Sequence, residues 1–150
     1  AVFRGYVGSD LKQVNPNIKT IFCPFSGEEL AAVPAIKPDI GIIHAQKADK
    51  AGNVLLEGII GVQKEVALSS RHCIVTVEEI VEDLGAGPNS CVLPGWAVDA
   101  IATVPGGASP SYAQGYYPRN NNYYKQWDGI SRDRASFNQW LDNEVFNGEA

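Results

Sequence analysis

Two groups of polar side chains stand directly after apolar runs, and their types could bind or transform a ligand. His44, Gln46 and Lys47 follow the run IGII, and Glu78 and Glu79 follow the run CIVTV. Imidazole, amide and carboxylate groups can transfer protons, form hydrogen bonds and bind charged ligands. Ligands of open α/β sheets bind beyond the carboxyl ends of the strands. If the two runs form neighbouring parallel strands, these side chains therefore border one crevice.

Each of these residues also has a purely structural interpretation. No serine or cysteine in a nucleophile elbow accompanies His44, so this imidazole is more often a hydrogen-bonded group at a strand end than a base. Because side chains alternate along a strand, at most one of Glu78 and Glu79 points into the crevice; ion pairing or a helix start is an equal alternative. Residues 49–53 have the composition of a type I turn, which explains them without a ligand. Arg4, in an apolar segment, either binds an anion or pairs with an acid.

The sequence lacks the patterns of several common sites. Its two histidines have no partners at ligand spacing, so we expect no metal site. The paired glycines lack the third glycine of a dinucleotide site, and no phosphate loop with Gly-Lys-Ser/Thr is present. The net charge is -5 and the pI about 4.9, and no Lys/Arg run exceeds two residues. We therefore expect no nucleic-acid partner.

Hydropathy and cysteine usage predict the cellular location of the chain. Its apolar runs are far shorter than the roughly 20 residues that cross a bilayer, and no basic segment followed by an apolar stretch opens it. We expect no membrane partner and no export signal. The three cysteines are widely spaced in apolar surroundings, which favours reduced, buried thiols over disulfides. We therefore expect a cytoplasmic setting.

The elements that must position the polar residues follow from the apolar pattern. We predict buried strands at 39–45 and 73–77, both rich in β-branched residues. Between them we predict a short helix over 61–70, where Val62 and Val66 lie one turn apart. Strand, helix and strand form a βαβ unit with parallel strands. The sequence therefore predicts an α/β fold with an open, mainly parallel sheet flanked by helices.

Three further segments have weaker patterns. Residues 20–23 form a candidate strand, and 96–104 a third strand with helical character at its start. The segment 106–122 is rich in Gly, Pro, Ser, Asn and Tyr and should be irregular. An aromatic-rich stretch, which we interpret as a subunit interface, contains Tyr112, Tyr116, Tyr117, Tyr123, Tyr124 and Trp127.

The clearest helix in the pattern covers residues 132–147. Ser131 is its predicted N-cap and Gly148 its predicted stop. Its apolar face carries Phe137, Trp140, Leu141 and Val145. With 150 residues and 45% hydrophobic side chains, we expect one domain over 1–150. The chain contains no methionine and opens on apolar residues, so we expect it to be part of a longer subunit.

Taken in order, a series of motifs resembles the A (alpha) subunit of family I coenzyme A transferases, nearest to the glutaconate and 3-oxoadipate branch. The resemblance runs over nearly the whole chain and suggests the C-terminal half of such a subunit. The spacing of KAD..GN and VEEIV is its most specific feature. The motifs are GYVGSDL, CPFSGEELAAVPAIKPD, IIHAQKADKAGNVL, GVQKEVAL, IVTVEEIVEDL, VLPGWAVDA, VPGGASPSYAQGYY and WDGISRDR.

The resemblance implies a two-subunit enzyme with its active site between the A (alpha) and B (beta) subunits. In this family a glutamate of the B (beta) subunit attacks the acyl-CoA thioester, and a covalent glutamyl-CoA thioester then passes CoA to the acceptor acid. Nothing in this chain matches the motif of that glutamate, so no catalytic residue is assigned here. Coenzyme A thioesters and dicarboxylates would be substrates, and no permanently bound cofactor is implied.

The resemblance also suggests which residues of this chain contact substrate. Arg4 is the most attractive of these, because a guanidinium fork suits the distal carboxylate of a dicarboxylic acyl group. The full set of candidate substrate-binding residues is Arg4, Ser9, Phe25, Ser26, Gln46 and Glu79.

Two other functions stay open at this point. A relative of the same fold whose beta subunit lacks the glutamate would hydrolyse a ring carbon–carbon bond of a CoA-linked compound. A non-catalytic binding or scaffold module is the third possibility, because fold alone does not determine function.

Overall fold

The computed structural model describes residues 1–147, which form two compact units. The first covers Ala1–Pro38, and the second begins at Asp39. The prediction of one domain over the whole chain stays a prediction.

The first unit is built on a small antiparallel sheet. Its strands β1 (Val2–Phe3), β2 (Lys19–Phe22) and β3 (Glu29–Ala32) are arranged in the order β1-β3-β2. The short helix α1 (Leu11–Val14) connects β1 to β2. The strand predicted at 20–23 is thus confirmed within one residue, whereas β1, β3 and α1 were not predicted. Tight turns satisfy the backbone between β2 and β3, where the amide of Cys23 donates to the carbonyl of Glu28 at 2.9 Å.

The second unit contains a five-stranded mixed sheet in the order β7-β5-β4-β6-β8. The strands β4, β6 and β8 pair in parallel, while β5 pairs antiparallel with both β4 and β7. The α/β class and the βαβ unit are confirmed, but only half of the sheet is parallel. The elements are β4 (Ile40–Asp49), β5 (Val54–Glu57), α2 (Gln63–Ser69), β6 (His72–Val81), β7 (Ser90–Leu93) and β8 (Ala100–Thr103).

The antiparallel half exists because a tight turn follows β4. The Oδ1 atom of Asp49 accepts hydrogen bonds from the amides of Ala51 and Asn53, both at 2.9 Å. Gly52 adopts φ +85°, which other residues rarely adopt. The predicted turn over 49–53 is therefore confirmed, and it folds β5 back onto β4 as a hairpin.

The main core lies between α2 and one face of the parallel strands. Buried Ile43 and Ala45 of β4 pack with Val75 and Val77 of β6, and Ala67 of α2 joins the same cluster. Burying a valine or isoleucine side chain contributes about 1.5–3 kcal/mol, so this cluster fixes the strand pair. Gly41 permits the close approach of the helix, because a Cβ there would lie 2.5 Å from the Oγ of Ser70 and 2.9 Å from a methyl group of Val66.

The C-terminal helices differ from the predicted ones. The chain forms a 3₁₀ turn at Gly95–Ala97 and then β8. This agrees with the prediction of a third strand with helical character at its start. Two helices, α3 (Asn121–Arg132) and α4 (Arg134–Leu141), precede a π-helical turn at Asp142–Phe146. The single helix predicted over 132–147 was therefore wrong at its start.

The helix break at residue 133 has a clear cause. Asp133 is extended, and its carboxylate accepts a hydrogen bond from the amide of Ser136 at 2.8 Å, which makes Asp133 the N-cap of α4. Ser131 lies inside α3 and does not cap a helix. Gly148, the predicted stop, lies outside the described residues. The predicted apolar face is real in part, since Phe137 and Trp140 pack on Trp127 of α3.

Two global predictions can be compared with the described residues. None of the helices in residues 1–147 is both long enough and apolar enough to span a bilayer. All three cysteines are free thiols; Cys73 is buried, while Cys23 and Cys91 are partly exposed.

Candidate functional site

The polar residues predicted beyond the strand ends lie within the strands. The strand β4 continues to Asp49 and β6 continues to Val81, so the two stay paired through Lys47 and Glu79. The placement of these residues past the carboxyl ends of the strands was therefore wrong. The strands continue because the turn after β4 starts at Asp49, well beyond the end of the apolar run.

The register of β4 and β6 sorts the polar residues onto two faces. His44 lies opposite Thr76, and Lys47 lies opposite Glu79. Side chains alternate along each strand, so Gln46 shares one face with Glu78, whereas Glu79 and Lys47 project from the other face. Gln46 and Glu79, which the resemblance named together, therefore lie near each other along the strands but on opposite faces of the sheet.

A buried pair of His44 and Glu78 forms the centre of the first face. The Nε2 atom of His44 lies 2.7 Å from Oε1 of Glu78, and Nδ1 lies 2.8 Å from the hydroxyl of Thr76. The side chain of Glu78 is only 4% exposed and that of His44 15%. A ring with its proton on Nε2 donates to Glu78 and accepts from Thr76, so both nitrogens are used.

The carboxylate of Glu78 also holds the loop that follows β8. Its Oε1 accepts a hydrogen bond from the hydroxyl of Tyr117 at 2.7 Å, and its Oε2 accepts from the amide of Gly106 at 2.8 Å. The Tyr117 oxygen in turn accepts from the amide of Ala108 at 2.9 Å. Gly107 packs so closely on the imidazole of His44 that a Cβ there would lie 2.8 Å from two ring atoms.

Electrostatics favour an ionised carboxylate at this position. Burial alone would raise the pKa of Glu78, because the charged form loses its water. The hydrogen bonds from Tyr117, Gly106 and His44 outweigh burial and hold the pKa of Glu78 below its usual range. Burial, together with the hydrogen bond to Glu78, raises the pKa of Tyr117, so the phenol stays protonated and can donate. The centre of this network is thus a buried anion at neutral pH.

Gln46 acts as a clamp between β4 and β5. Its Oε1 accepts from the amide of Glu57 at 2.9 Å, and its Nε2 donates to the carbonyl of Glu57 at 3.3 Å. The backbone pairing of β4 with β5 includes Lys47 and Leu55. The side-chain amide of Gln46 takes the place of a backbone partner for Glu57, at the end of β5. Both polar groups of this candidate substrate-binding residue are occupied within the fold.

Glu79 lies in a more open environment on the opposite face. Its Oε1 accepts from the hydroxyl of Tyr116 at 2.6 Å and lies 3.7 Å from the ammonium group of Lys47. Burial and the neighbouring carboxylate of Glu79 raise the pKa of Tyr116. Consecutive tyrosines, Tyr116 and Tyr117, therefore contact consecutive glutamates on the two faces of β6.

The four candidates in the first unit lie at its turns. The guanidinium of Arg4 forms a two-point ion pair with Glu28, in which Nη2 lies 2.8 Å from Oε2. The hydroxyl of Ser9 donates to the carbonyl of Tyr6 at 3.0 Å. Phe25 is 98% exposed at the tip of the β2–β3 turn, and Ser26 accepts from the amide of Glu28 at 3.4 Å.

Ser26 also affects a neighbouring thiol. Hydrogen bonds from the Ser26 hydroxyl and from the backbone amides of Ser26 and Phe25 lower the pKa of Cys23. Arg4, Ser26 and Phe25 thus border a turn with a polar wall and one large exposed apolar side chain. All four residues stay candidates for substrate binding.

Sequence patterns alone do not identify Glu78, Tyr117 and Gly106 as members of one network. Strand alternation indicated that at most one of the two glutamates points into the crevice, but not which one. Which glutamate joins the network depends on the register of β6 with β4. The groups that donate hydrogen bonds to Glu78, the Gly106 amide and the Tyr117 hydroxyl, come from a loop far along the chain. Among residues 1–147, no buried side-chain nitrogen or oxygen lacks a hydrogen-bond partner.

The hydrogen-bond network of His44 and Glu78 supports the fold and offers no free reactive group. Both nitrogens of His44 and both oxygens of Glu78 are occupied, so neither group is free to attack a substrate. Within residues 1–147, no group of three or more His, Cys, Asp and Glu side chains could hold a metal ion. The expected absence of a metal in the whole protein stays a prediction.

Comparisons with known proteins relate this geometry to a family. A model of the coenzyme A transferase family matches residues 6–103. The chain is 63% identical over 145 residues to the alpha (A) subunit of 3-oxoadipate CoA-transferase from Pseudomonas knackmussii, covering 97% of this chain and 51% of the relative. It is 34% identical over 139 residues to the alpha (A) subunit of glutaconate CoA-transferase from Acidaminococcus fermentans, covering 91% and 43%.

A solved structure supports the same relationship. The crystal structure of glutaconate coenzyme A-transferase from Acidaminococcus fermentans aligns with a TM-score of 0.84 at 32% identity, over 98% of this chain and 52% of that one. The chain spans about half the length of the curated relatives that it matches. The matched residues include β4, β6 and the buried pair of His44 and Glu78, and the chain belongs to the coenzyme A transferase family.

Proposed function

We propose that the chain is part of the alpha subunit of an acyl-CoA:carboxylate CoA-transferase that moves CoA between an acyl-CoA and a dicarboxylate of the 3-oxoadipate or glutaconate type. The 63% identity across 97% of the chain with the alpha subunit of a 3-oxoadipate CoA-transferase carries this proposal. Substrates are CoA thioesters and dicarboxylates, and no permanently bound cofactor takes part. The cytoplasmic setting expected from the cysteines stays a prediction.

The proposed reaction proceeds by covalent exchange on a partner, the beta subunit of the transferase. A glutamate carboxylate of this partner attacks the acyl-CoA carbonyl and displaces the CoA thiolate, which gives an acyl anhydride. The thiolate then attacks the glutamyl carbonyl of this anhydride, releases the first acid and leaves a glutamyl-CoA thioester. The acceptor acid reverses these steps. The buried state of Glu78, with both oxygens hydrogen-bonded, supports placing the nucleophile on the partner rather than on this chain.

In this proposal the chain contributes recognition and support. Arg4 is exposed, and a substrate carboxylate could replace Glu28 on its guanidinium fork. Gln46 acts indirectly by holding β5 against β4, while Glu79 and Lys47 present opposite charges on the other face. We keep Arg4, Ser9, Phe25, Ser26, Gln46 and Glu79 as the candidate substrate-binding residues, and we propose that Gln46 contributes through the position of β5 rather than by its own contact.

The test combines the full-length alpha subunit with its beta partner and measures CoA exchange between succinyl-CoA and 3-oxoadipate. We expect exchange, and a mass increase on the partner chain that equals CoA minus water when acyl-CoA is added alone. The adduct should disappear after addition of a free dicarboxylate.

Other outcomes select among the alternatives. Consumption of a ring-containing CoA thioester without an acceptor acid, and without an adduct, would support the ring-opening hydrolase instead. Ligand binding with neither reaction would support a binding module. An Arg4→Ala variant should lower kcat/KM more for dicarboxylates than for monocarboxylates, and equal losses would remove Arg4 from substrate recognition.

A further inference from the structure

Two open clefts in the second unit share the side chain of Arg119. The first, of about 460 Å³, follows the segment 112–118 and is bordered by Tyr112 and Tyr116. The second, of about 720 Å³, lies against the start of α3 and is bordered by Tyr124 and Lys125. Arg119 lines both clefts, and we call the two clefts together the Arg119 groove.

Three side chains that border the Arg119 groove have partners within the chain. The hydroxyls of Tyr116 and Tyr117 donate to Glu79 and Glu78, at 2.6 and 2.7 Å. The guanidinium of Arg119 lies over the ring of Tyr124, with its carbon 4.1 Å from the ring centroid. A site whose side chains are already ordered loses little conformational entropy on binding.

The charge of the groove is positive although the chain carries a net charge of -5. In residues 1–147, neither Arg119 nor Lys125 forms an ion pair with an acid, whereas Asp128 in the same groove is paired with Arg132 at 2.9 Å. The amino end of α3 adds partial positive charge to the two side chains. The groove therefore presents two uncompensated cations beside tyrosine rings.

We propose that the Arg119 groove binds the phosphate-bearing nucleotide end of the CoA substrate, a subsite that rests on the proposed function. Arg119 and Lys125 would contact phosphate oxygens, which suit both a guanidinium fork and an ammonium point charge. Tyr112 or Tyr116 would offer a flat apolar surface to the adenine ring. A substrate carboxylate has the same sign of charge but would fill only a small part of clefts of about 460 and 720 Å³.

The experiment uses the full-length alpha subunit with its partner and compares Arg119→Gln and Lys125→Gln with the wild type. We expect each variant to raise KM for the acyl-CoA about tenfold, with kcat changed less than about twofold. Inhibition by adenosine 3′,5′-bisphosphate should weaken by the same factor. Arg119→Lys should restore part of the loss. Lys64→Gln, which removes one exposed charge from α2, is the matched control and should leave both values unchanged.

Several results would overturn the proposal. If the variants raise KM for the dicarboxylate acceptor but leave bisphosphate inhibition unchanged, the groove binds a carboxylate instead. If neither value changes, it binds no substrate anion. The proposed function can fail separately from the binding site. If the enzyme shows no CoA exchange but calorimetry still detects bisphosphate binding that depends on Arg119, the binding site in the groove is supported and the transferase activity is rejected.

Discussion

Replacing Glu78 with glutamine tests whether a buried anion organises the site. The carboxylate accepts from His44 and Tyr117 on one oxygen and from the amide of Gly106 on the other. Glutamine has one acceptor oxygen, so its amino group would face the Gly106 amide and leave two donors opposed. A buried, unsatisfied donor costs about 1–3 kcal/mol, and the two remaining bonds lose their charge-assisted strength. We expect a total loss of about 2–4 kcal/mol.

The assay is thermal unfolding of the full-length subunit, with Glu79→Gln as the matched control. For a protein of this size the predicted loss lowers Tm on the order of 5–10 °C. The control makes the same chemical change one position later on the same strand, where the side chain is 48% exposed, and should cost about 1 kcal/mol or less. Hydrogen exchange of the Gly106 amide should accelerate only in Glu78→Gln.

The pH dependence of Tm in the wild type and in Glu78→Gln gives an independent check. The pKa of Glu78 is lower in the folded than in the unfolded chain, so its stabilisation is complete above the unfolded value of about 4.3. It is lost as the pH falls through the lower folded pKa. The Tm difference between wild type and Glu78→Gln should therefore shrink in acid. Equal losses in the two glutamine variants, or a difference that stays constant into acid, would refute the reasoning.

Three further predictions concern the packing around the network and the helices. Gly107→Ala should destabilise the protein by about 1–3 kcal/mol, because the new Cβ would overlap His44. Gly129→Ala in α3 should stabilise it, because its Cβ would meet open space. Thermal unfolding of both variants checks these opposite signs. Gln46→Leu should cost about 1–3 kcal/mol by leaving both backbone groups of Glu57 unpaired, and faster exchange of the Glu57 amide would show it. Asp133→Ala should increase hydrogen exchange at the start of α4, and an equal effect of Ser131→Ala would contradict the assigned N-cap.

Local patterns predicted the parallel strand pair and the turn after it. The runs before His44 and Glu78 are rich in β-branched residues and bracket a short amphipathic segment, so the βαβ unit needs no tertiary information. The Asp-Lys-Ala-Gly sequence likewise determines its own turn. The ends of the strands were less predictable, because polar residues continue in β conformation when a neighbouring strand satisfies their backbone groups.

Non-local contacts account for most of what the sequence patterns missed. The choice of Glu78 as the buried acid depends on the register with β4 and on the loop at Gly106, neither of which is a local property. The helix α3 contains many Asn and Tyr residues with low helix propensity and is stabilised by the N-cap Asn120 and by aromatic packing of Trp127. The break before α4 depends on one capping carboxylate, Asp133.

The two consecutive glutamates and the two consecutive tyrosines form a matched pair of contacts. Glu78 and Glu79 point to opposite faces because successive side chains alternate, and Tyr117 and Tyr116 reach one of them each. A slip of one residue between β4 and β6 would turn Glu79 to the face of His44 and Gln46 and Glu78 to the face of Lys47, so both tyrosine contacts would be lost together. The carboxylate that excludes this slip therefore also holds the loop after β8 and the wall of the Arg119 groove. The proposed recognition of a ligand in that groove and the stability of the sheet would consequently be coupled through one buried charge.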